Sequence, residues 1–162
     1  MARAPEICAG DDFRIASDGT WFHDGRPIRR ESVVRLFASV LCRAGDGGYW
    51  LVTPAEKVRV TVDDAPFVAV GMDSAGAGRS RVITLETNIG AKVVLDGAHP
   101  LVVRATEAGP RPYLELDGGL EALVARSVYY ELAAEAVAGP DGRNGVYSAG
   151  QFFALEPEGS PA

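Results

Sequence analysis

Apolar residues at positions 33, 34, 36, 37, 40 and 41 recur at i, i+3, i+4, i+7 and i+8. That spacing draws one stripe down a helix and predicts an amphipathic helix over 30–43. Arg35, Ser39 and Arg43 lie off or beside the stripe, and Gly45 closes it. A second stripe uses Leu120, Leu123, Val124, Val128 and Leu132, with Tyr129 and Tyr130 beside it. It predicts a helix over 120–137, opened by Asp117-Gly118-Gly119 and ended by Gly139-Pro140-Asp141-Gly142. Elsewhere the period drops to two. Residues 57–62 set Val58, Val60 and Val62 against Lys57, Arg59 and Thr61, the alternation of a strand with one buried face. Further strands are predicted at 13–15, 21–23, 49–52, 67–70, 82–86, 92–95, 101–106 and 112–116, with a last strand or pair over 146–155. Gly- and Ser-rich residues 72–81 read as a flexible loop. Residues 1–11 and 157–162 read as flexible tails.

The order of these elements repeats. Strand, Asp-Gly, amphipathic helix, polar-Gly turn and aromatic strand occur first as Trp21-Phe22, Asp24-Gly25, helix 30–43, Gly47-Gly48 and Tyr49-Trp50. They recur as Tyr113-Leu114, Asp117-Gly118, helix 120–137, Asn144-Gly145 and Val146-Tyr147. The spacings differ by several residues, so the pattern suggests an internal duplication without proving one. The fold class that follows is α+β with mostly antiparallel sheets, either one ordinary domain or two small strand–helix–strand domains, which would run over 12–64 and 65–156.

Composition then narrows the function. A formal net charge of −6 argues against a general nucleic-acid binder, which needs a basic face to displace counterions from phosphates, and against anionic membrane surfaces. A local basic patch stays open, because Arg26, Arg29, Arg30 and Arg35 cluster. Cys8 and Cys42 share no motif spacing and read as reduced thiols. The N-terminus lacks an apolar signal core and no run approaches the ~20 residues that cross a bilayer, so a cytoplasmic location is expected.

Catalytic chemistry is sparse. His23 and His99 have no Cys or His partner at metal-ligand spacing, and no serine sits in a nucleophile elbow. The glycines of 71–78 do not make a Walker or dinucleotide-binding loop. Thr53-Pro54-Ala55-Glu56-Lys57 is the most suggestive stretch: a Pro-kinked strand end can hold a hydroxyl, a carboxylate and an ammonium on one surface, as ligand contacts or as a salt-bridged corner. Arg29, Arg30 and Arg35 offer forked donors to an anion or pairs for Glu31. Trp50 reads as core; Trp21, Tyr129 and Tyr130 read as core or as stacking platforms.

The run Asp18-Gly19-Thr20-Trp21-Phe22-His23-Asp24-Gly25-Arg26-Pro27-Ile28, followed by Val34-Arg35-Leu36-Phe37, resembles a bacterial domain-of-unknown-function family, number 1285. Tyr49-Trp50-Leu51-Val52-Thr53-Pro54-Ala55-Glu56-Lys57, Arg126-Ser127-Val128-Tyr129-Tyr130-Glu131-Leu132 and Ser148-Ala149-Gly150-Gln151-Phe152-Phe153 resemble its later blocks, in order, over about residues 13 to 155. The resemblance implies a duplicated core whose second domain is pleckstrin-homology-like, a nucleotide-like ligand at the domain interface, and a role in signal transduction. It implies no catalytic activity and no cofactor. The expected site is then Arg35, Thr53, Glu56, Lys57, Arg126, Ser127, Tyr130 and Ser148, in a non-enzymatic ligand-binding or signalling module. The alternative is a protein-interaction or structural module with no small ligand, whose repeated aromatic strands make a homo-oligomer or partner surface.

Overall fold

Alternation along the N-terminal third becomes a single sheet. The computed structural model describes residues 6–7 and 12–157, and its contacts divide the chain into two units. One runs to Pro66 and takes in Gly118–Leu120; the other holds Phe67–Asp117 and the chain from Glu121. The first contains β1 (Glu6–Ile7), β2 (Phe13–Ile15), β3 (Trp21–His23), β4 (Arg26–Pro27), α1 (Glu31–Ser39), β5 (Leu41–Arg43), β6 (Tyr49–Val52) and β7 (Glu56–Val62). Its sheet order is β4-β3-β2-β7-β6-β5, with β1 added beside β7; β1 and β2 pair with β7 in parallel, the other neighbours antiparallel. Phe13, Ile15, Trp21, Leu51, Val58 and Val60 are buried, and Trp21 and Phe37 stack with ring centroids 6.2 Å apart, which sets α1 over that face. Burial of both tryptophans settles Trp21 as core.

The first predicted helix is shorter than its stripe. It ends at Ser39, where the Val40 N–H donates to the Phe37 carbonyl and the Ser39 hydroxyl to that of Leu36. The chain then continues as a strand in which Leu41 pairs with Leu51. Leu41 is buried by the sheet, so the apolar run is shared between two elements. Of the expected tails, Glu6–Ile7 form β1 and Pro157 is described; Cys8 and the remainder lie outside the described residues.

The second unit holds β8 (Phe67–Ala75), β9 (Val82–Thr87), β10 (Lys92–Val94), β11 (Leu101–Thr106), β12 (Gly109–Glu115), β13 (Glu121–Val124), α2 (Arg126–Ala134), β14 (Val137–Ala138), β15 (Asn144–Ser148) and β16 (Gln151–Ala154). Six strands form a sheet in the order β10-β9-β8-β13-β12-β11, parallel only at β8–β13; the last three form a separate antiparallel sheet. The second predicted helix is corrected likewise. Residues 121–124 are the strand β13, held between β12 and β8, and the helix begins only at Arg126. The predicted loop at 72–81 is half strand, since β8 runs to Ala75 before a 3-10 turn at Gly78–Ser80. Among the described residues the protein thus has two mostly-sheet domains with two α-helices and mixed sheets.

The duplication is written in the registers. Both helices have nine residues. Glu31 corresponds to Arg126, Tyr49 to Asn144 and Glu56 to Gln151, a constant offset of 95. Leu51 faces Val58 as Val146 faces Phe153, and Cys42 faces Trp50 as Val137 faces Gly145. The connecting turns match bond for bond. Gly47 N–H donates to Ala44 O and Gly142 N–H to Gly139 O, while Asp46 and Asp141 accept the N–H two residues on. Gly47 and Gly142 have φ of 84° and 83°, a conformation that costs glycine nothing. The true counterpart of Gly47-Gly48 is therefore Gly142-Arg143, rather than Asn144-Gly145.

Candidate functional site

Register places an aromatic pair under α1. Phe13 faces His23 across the β2–β3 ladder, so both side chains leave the same side of the sheet, stacked at 4.5 Å between centroids. Phe37 descends from α1 and meets Phe13 edge-on at 5.1 Å. Leu51 and Val58, opposite each other on β6 and β7, continue the floor. At the far end the chain turns through Thr53-Pro54-Ala55-Glu56. The Thr53 hydroxyl accepts the Glu56 N–H at 3.1 Å and donates to the Glu56 carbonyl at 3.3 Å. These side chains, with Val40, enclose a cavity of about 260 Å³ lined by Phe13, His23, Phe37, Val40, Leu51, Thr53, Glu56 and Val58.

The cavity persists because α1 lies shallow. Ala38 is its one buried residue, and Leu36 at 63% exposure points to solvent. Of the lining residues Phe13, Leu51 and Val58 are buried while Phe37, Val40 and Glu56 are half-buried, which leaves an apolar hollow with a carboxylate at one end. Such concave, aromatic-lined spaces with few polar groups are the usual form of small-molecule sites.

The second unit has cavities of another kind. A groove of about 610 Å³ runs beside residues 101–105 and 152–154, with Arg104, Arg143 and Glu156. Arg104 forks onto Glu121 at 3.1 and 2.7 Å, and that carboxylate raises the guanidinium's already high affinity for its proton. A pocket of about 240 Å³ is lined by Pro110, Arg111, Pro112, Leu123, Arg126 and Tyr129 among others. Burial pushes the Tyr129 hydroxyl's pKa up; the hydroxyl donates to the Leu155 carbonyl at 2.6 Å. His99 sits between Asp96 and Asp117, at 3.2 and 3.1 Å from their carboxylates. Asp96 is held below the usual carboxylate range, first by the His99 backbone N–H, which makes this a structural corner. Among the described residues, no group of three or more His, Cys, Asp or Glu could hold a metal ion, and no helix is long and apolar enough to cross a membrane.

Of the eight residues expected at the site, Thr53 and Glu56 share the cavity under α1. Lys57, next on β7, faces the other side of the sheet and lies 4.4 Å from the centre of the Trp50 ring. Arg35 is exposed on α1 and 3.8 Å from Glu31. Arg126 lines the 240 Å³ pocket; Ser127 and Tyr130 are exposed on α2, Tyr130 at 62%. Ser148 is corrected: it is fully buried, out of reach of a ligand from solvent, and its hydroxyl accepts the Ile83 N–H at 2.9 Å, which ties β15 to β9. Phe13, His23, Phe37, Val40, Leu51 and Val58 were not among the expected residues. The signal for Phe13, His23, Leu51 and Val58 was the strand register, since each projects from the face that α1 covers; for Phe37 and Val40 it was the helical stripe.

Two family models match the chain. The N-terminal domain of unknown function of DUF1285 covers residues 2–65, and the C-terminal domain of the DUF1285 protein of unknown function covers 66–155. The chain belongs to the DUF1285 family. Among solved structures it is similar to a DUF1285 family protein from Silicibacter pomeroyi, at 43% identity and a TM-score of 0.87, covering 96% of this chain and 85% of that one. It is also similar to a DUF1285 family protein from Shewanella baltica, at 31% identity and a TM-score of 0.60, covering 77% of this chain and 92% of that one. No curated protein matches the chain.

Proposed function

We propose that this DUF1285 protein is a non-enzymatic ligand-binding module, cytoplasmic and serving signalling, whose ligand enters the hollow under α1. The observation that carries this reading is the cavity of about 260 Å³ itself, in which a helix with an apolar stripe is held off an apolar sheet. Burying that surface against a filled core would be favourable at roughly 25 cal/mol per Å², so an open hollow needs a reason, and occupancy supplies one. The volume falls just below the roughly 300–1,000 Å³ of drug-sized sites and suits a single ring. The nucleotide-like ligand implied by the resemblance enters the proposal through its planar part, and the pleckstrin-homology likeness of the second domain goes with it.

Ligand-observed NMR of the full chain against a library of single-ring fragments tests the reading. Fragments are expected to bind, and Val40→Trp, which fills the hollow, is expected to abolish their signals while the fold is retained. A library without a hit, or hits that survive Val40→Trp, overturns the assignment.

The alternative, a protein-interaction module without a small ligand, draws on the 610 Å³ groove. Consecutive residues 101–105 and 152–154 line it, and consecutive residues face one way only along a strand edge. β11 and β16 are both edge strands, open to an added strand. Light scattering across a concentration series tests the homo-oligomeric form; a constant monomer mass removes it.

A further inference from the structure

The six-stranded sheet of the second unit ends in an unguarded edge. Among the described strands with a neighbour on one side only, β1, β4 and β14 have two residues, β5 and β10 three, and β16 four. β11 has six. Short edge strands, lysine and proline are the usual protections against pairing with another chain, and the run Leu101-Val102-Val103-Arg104-Ala105-Thr106 has none of them.

The register fixes which backbone groups of this edge are open. β12 sets Pro110 opposite Ala105 and Pro112 opposite Val103. Proline has no N–H, so those pairs cannot exchange hydrogen bonds, and the exchanging pairs are the ones that alternate with them. The bond from the Glu115 N–H to the Pro100 carbonyl, at 2.9 Å, gives the same phase. Val102, Arg104 and Thr106 therefore turn their N–H and C=O to β12, while Leu101, Val103 and Ala105 turn theirs outward. On β16 the Leu155 N–H bonds the Asn144 carbonyl, so Phe153 pairs inward with Val146 and the groups of Phe152 and Ala154 point outward. Among the described residues nothing bonds to these outward groups, although Leu101 and Val103 are buried. Both rows line the groove of about 610 Å³.

Resting on the reading of that groove as an interaction surface, we infer that β11 takes an extended segment of a partner protein as an added strand, bonded to the backbone of Leu101, Val103 and Ala105. Residues 101–105 offer about 16 Å of edge for it. On such a strand every second side chain follows Leu101 and Val103 inward and has to be apolar, while the others follow Arg104 into solvent. The guanidinium groups of the groove are already engaged, Arg104 by Glu121 and Arg143 by Asp141, so recognition runs through the backbone. A segment with proline at its paired positions is excluded. A lone strand fits better than a second copy, whose β11 would carry β12 behind it into the wall made by Phe152, Phe153 and Ala154.

The test is amide hydrogen exchange of the full chain, read residue by residue by NMR, with two synthetic probes at millimolar concentration. One is the capped pentapeptide acetyl-Thr-Val-Thr-Val-Thr-amide; the other is the same peptide with every backbone nitrogen methylated. In the free chain the amides of Leu101, Val103 and Ala105 are expected to exchange faster than those of Val102, Arg104 and Thr106. The first peptide is expected to slow the outward three about tenfold or more at saturation and to leave the inward three unchanged; the methylated one is expected to do neither. Ala105→Pro removes an outward N–H at an exposed position and no bond to β12, and is expected to abolish the slowing with the circular dichroism unchanged. The methylated probe alters nothing in the protein, so it decides the matter should that variant fail to fold. Equal slowing by both peptides, or slowing along 101–106 without alternation, overturns strand addition and leaves the groove as an interaction surface. Outward amides already protected in the free chain, together with a dimeric mass, assign the edge to a second copy and end the lone-strand inference. If neither peptide changes an amide along 101–105 or 152–154 and the mass stays monomeric, the reading of the groove itself falls.

Discussion

The two copies of the helix–hairpin motif use the same geometry to opposite ends. In the second, Val128 and Leu132 of α2 are fully buried, and Val146 and Phe153 of its hairpin are buried too. That helix packs on β8 of the six-stranded sheet as well as on β15, so both of its flanks are covered. In the first, the matching Val33 and Phe37 are only half-buried, and α1 lies over one sheet. The hairpins differ as well on the face turned away from the helices. Trp50 corresponds to Gly145, where a Cβ would strike the Phe153 carbonyl oxygen and the Phe152 ring. One helix is anchored by two fully buried side chains; the other lies shallow over a hollow. A duplicated motif needs its packing energy only once, and the second occurrence can then be used for binding.

The largest test of this contrast is a pair of truncations. Leu132→Ala removes a fully buried side chain from a filled core and is expected to cost about 2–5 kcal/mol. Phe37→Ala removes a half-buried ring that already borders a cavity, and about 1–2 kcal/mol is expected despite the larger side chain. Urea unfolding followed by circular dichroism reads both, and tryptophan fluorescence isolates the first unit, because Trp21 and Trp50 both lie in it. Equal costs would mean that α1 is as firmly packed as α2, and the contrast would be lost.

These particulars also show what the chain discloses before folding. Both stripes were legible, since Val33, Phe37, Val128 and Leu132 do point inward from helices. Their ends were not. Leu41, and the run from Leu120 to Val124, continue the apolar pattern into strands, and period alone cannot separate a buried strand from the next helical turn. Of the residues lining the hollow under α1, Thr53 and Glu56 were singled out in the sequence because a Pro-kinked turn announces itself locally. Phe13 and Val58 were not, because they meet only through the pairing of β2 and β7, a contact between strands far apart in sequence. Ser148 shows the converse: its block resembles the family, yet its hydroxyl serves the Ile83 backbone.

A smaller effect separates the two hairpin turns after the motif's middle strand. Thr53-Pro54-Ala55-Glu56 closes with side-chain bonds from Thr53, whereas Ser148-Ala149-Gly150-Gln151 places Ala149 at φ 51° and Gly150 at φ 80°. Successive positive φ values make the mirror-image turn that favours Asn-Gly, and alanine there is strained by roughly 1 kcal/mol. Ala149→Asn is expected to stabilise the second unit by about 0.5–1 kcal/mol in the same urea experiment. Ala55→Asn, in a turn without that geometry, is expected to gain nothing. A stabilisation at both positions would place the effect in the unfolded chain and not in the turn.

The smallest effect tests the matched aspartates, Asp46 and Asp141. Asp141 accepts the Arg143 Nε–H at 2.6 Å as well as its backbone N–H, and the Arg143 guanidinium holds its carboxyl below the usual carboxylate range. A carboxyl with a lowered folded-state pKa contributes stability that is present above its unfolded value of about 3.9 and lost as pH falls through the folded value. Asp46 has Gly48 where Asp141 has Arg143, so its turn lacks that guanidinium. Asp141→Asn is therefore expected to destabilise at pH 7 more than Asp46→Asn, by an amount kept small because Asp141 is exposed. The gap should narrow at acid pH, as the carboxyl takes up its proton through the folded-state value. Thermal unfolding of the two variants and the parent at neutral and acid pH checks the sign. If the gap is as wide in acid as at neutrality, the guanidinium is not its source, and the two turns differ only in the glycine at the place of Arg143.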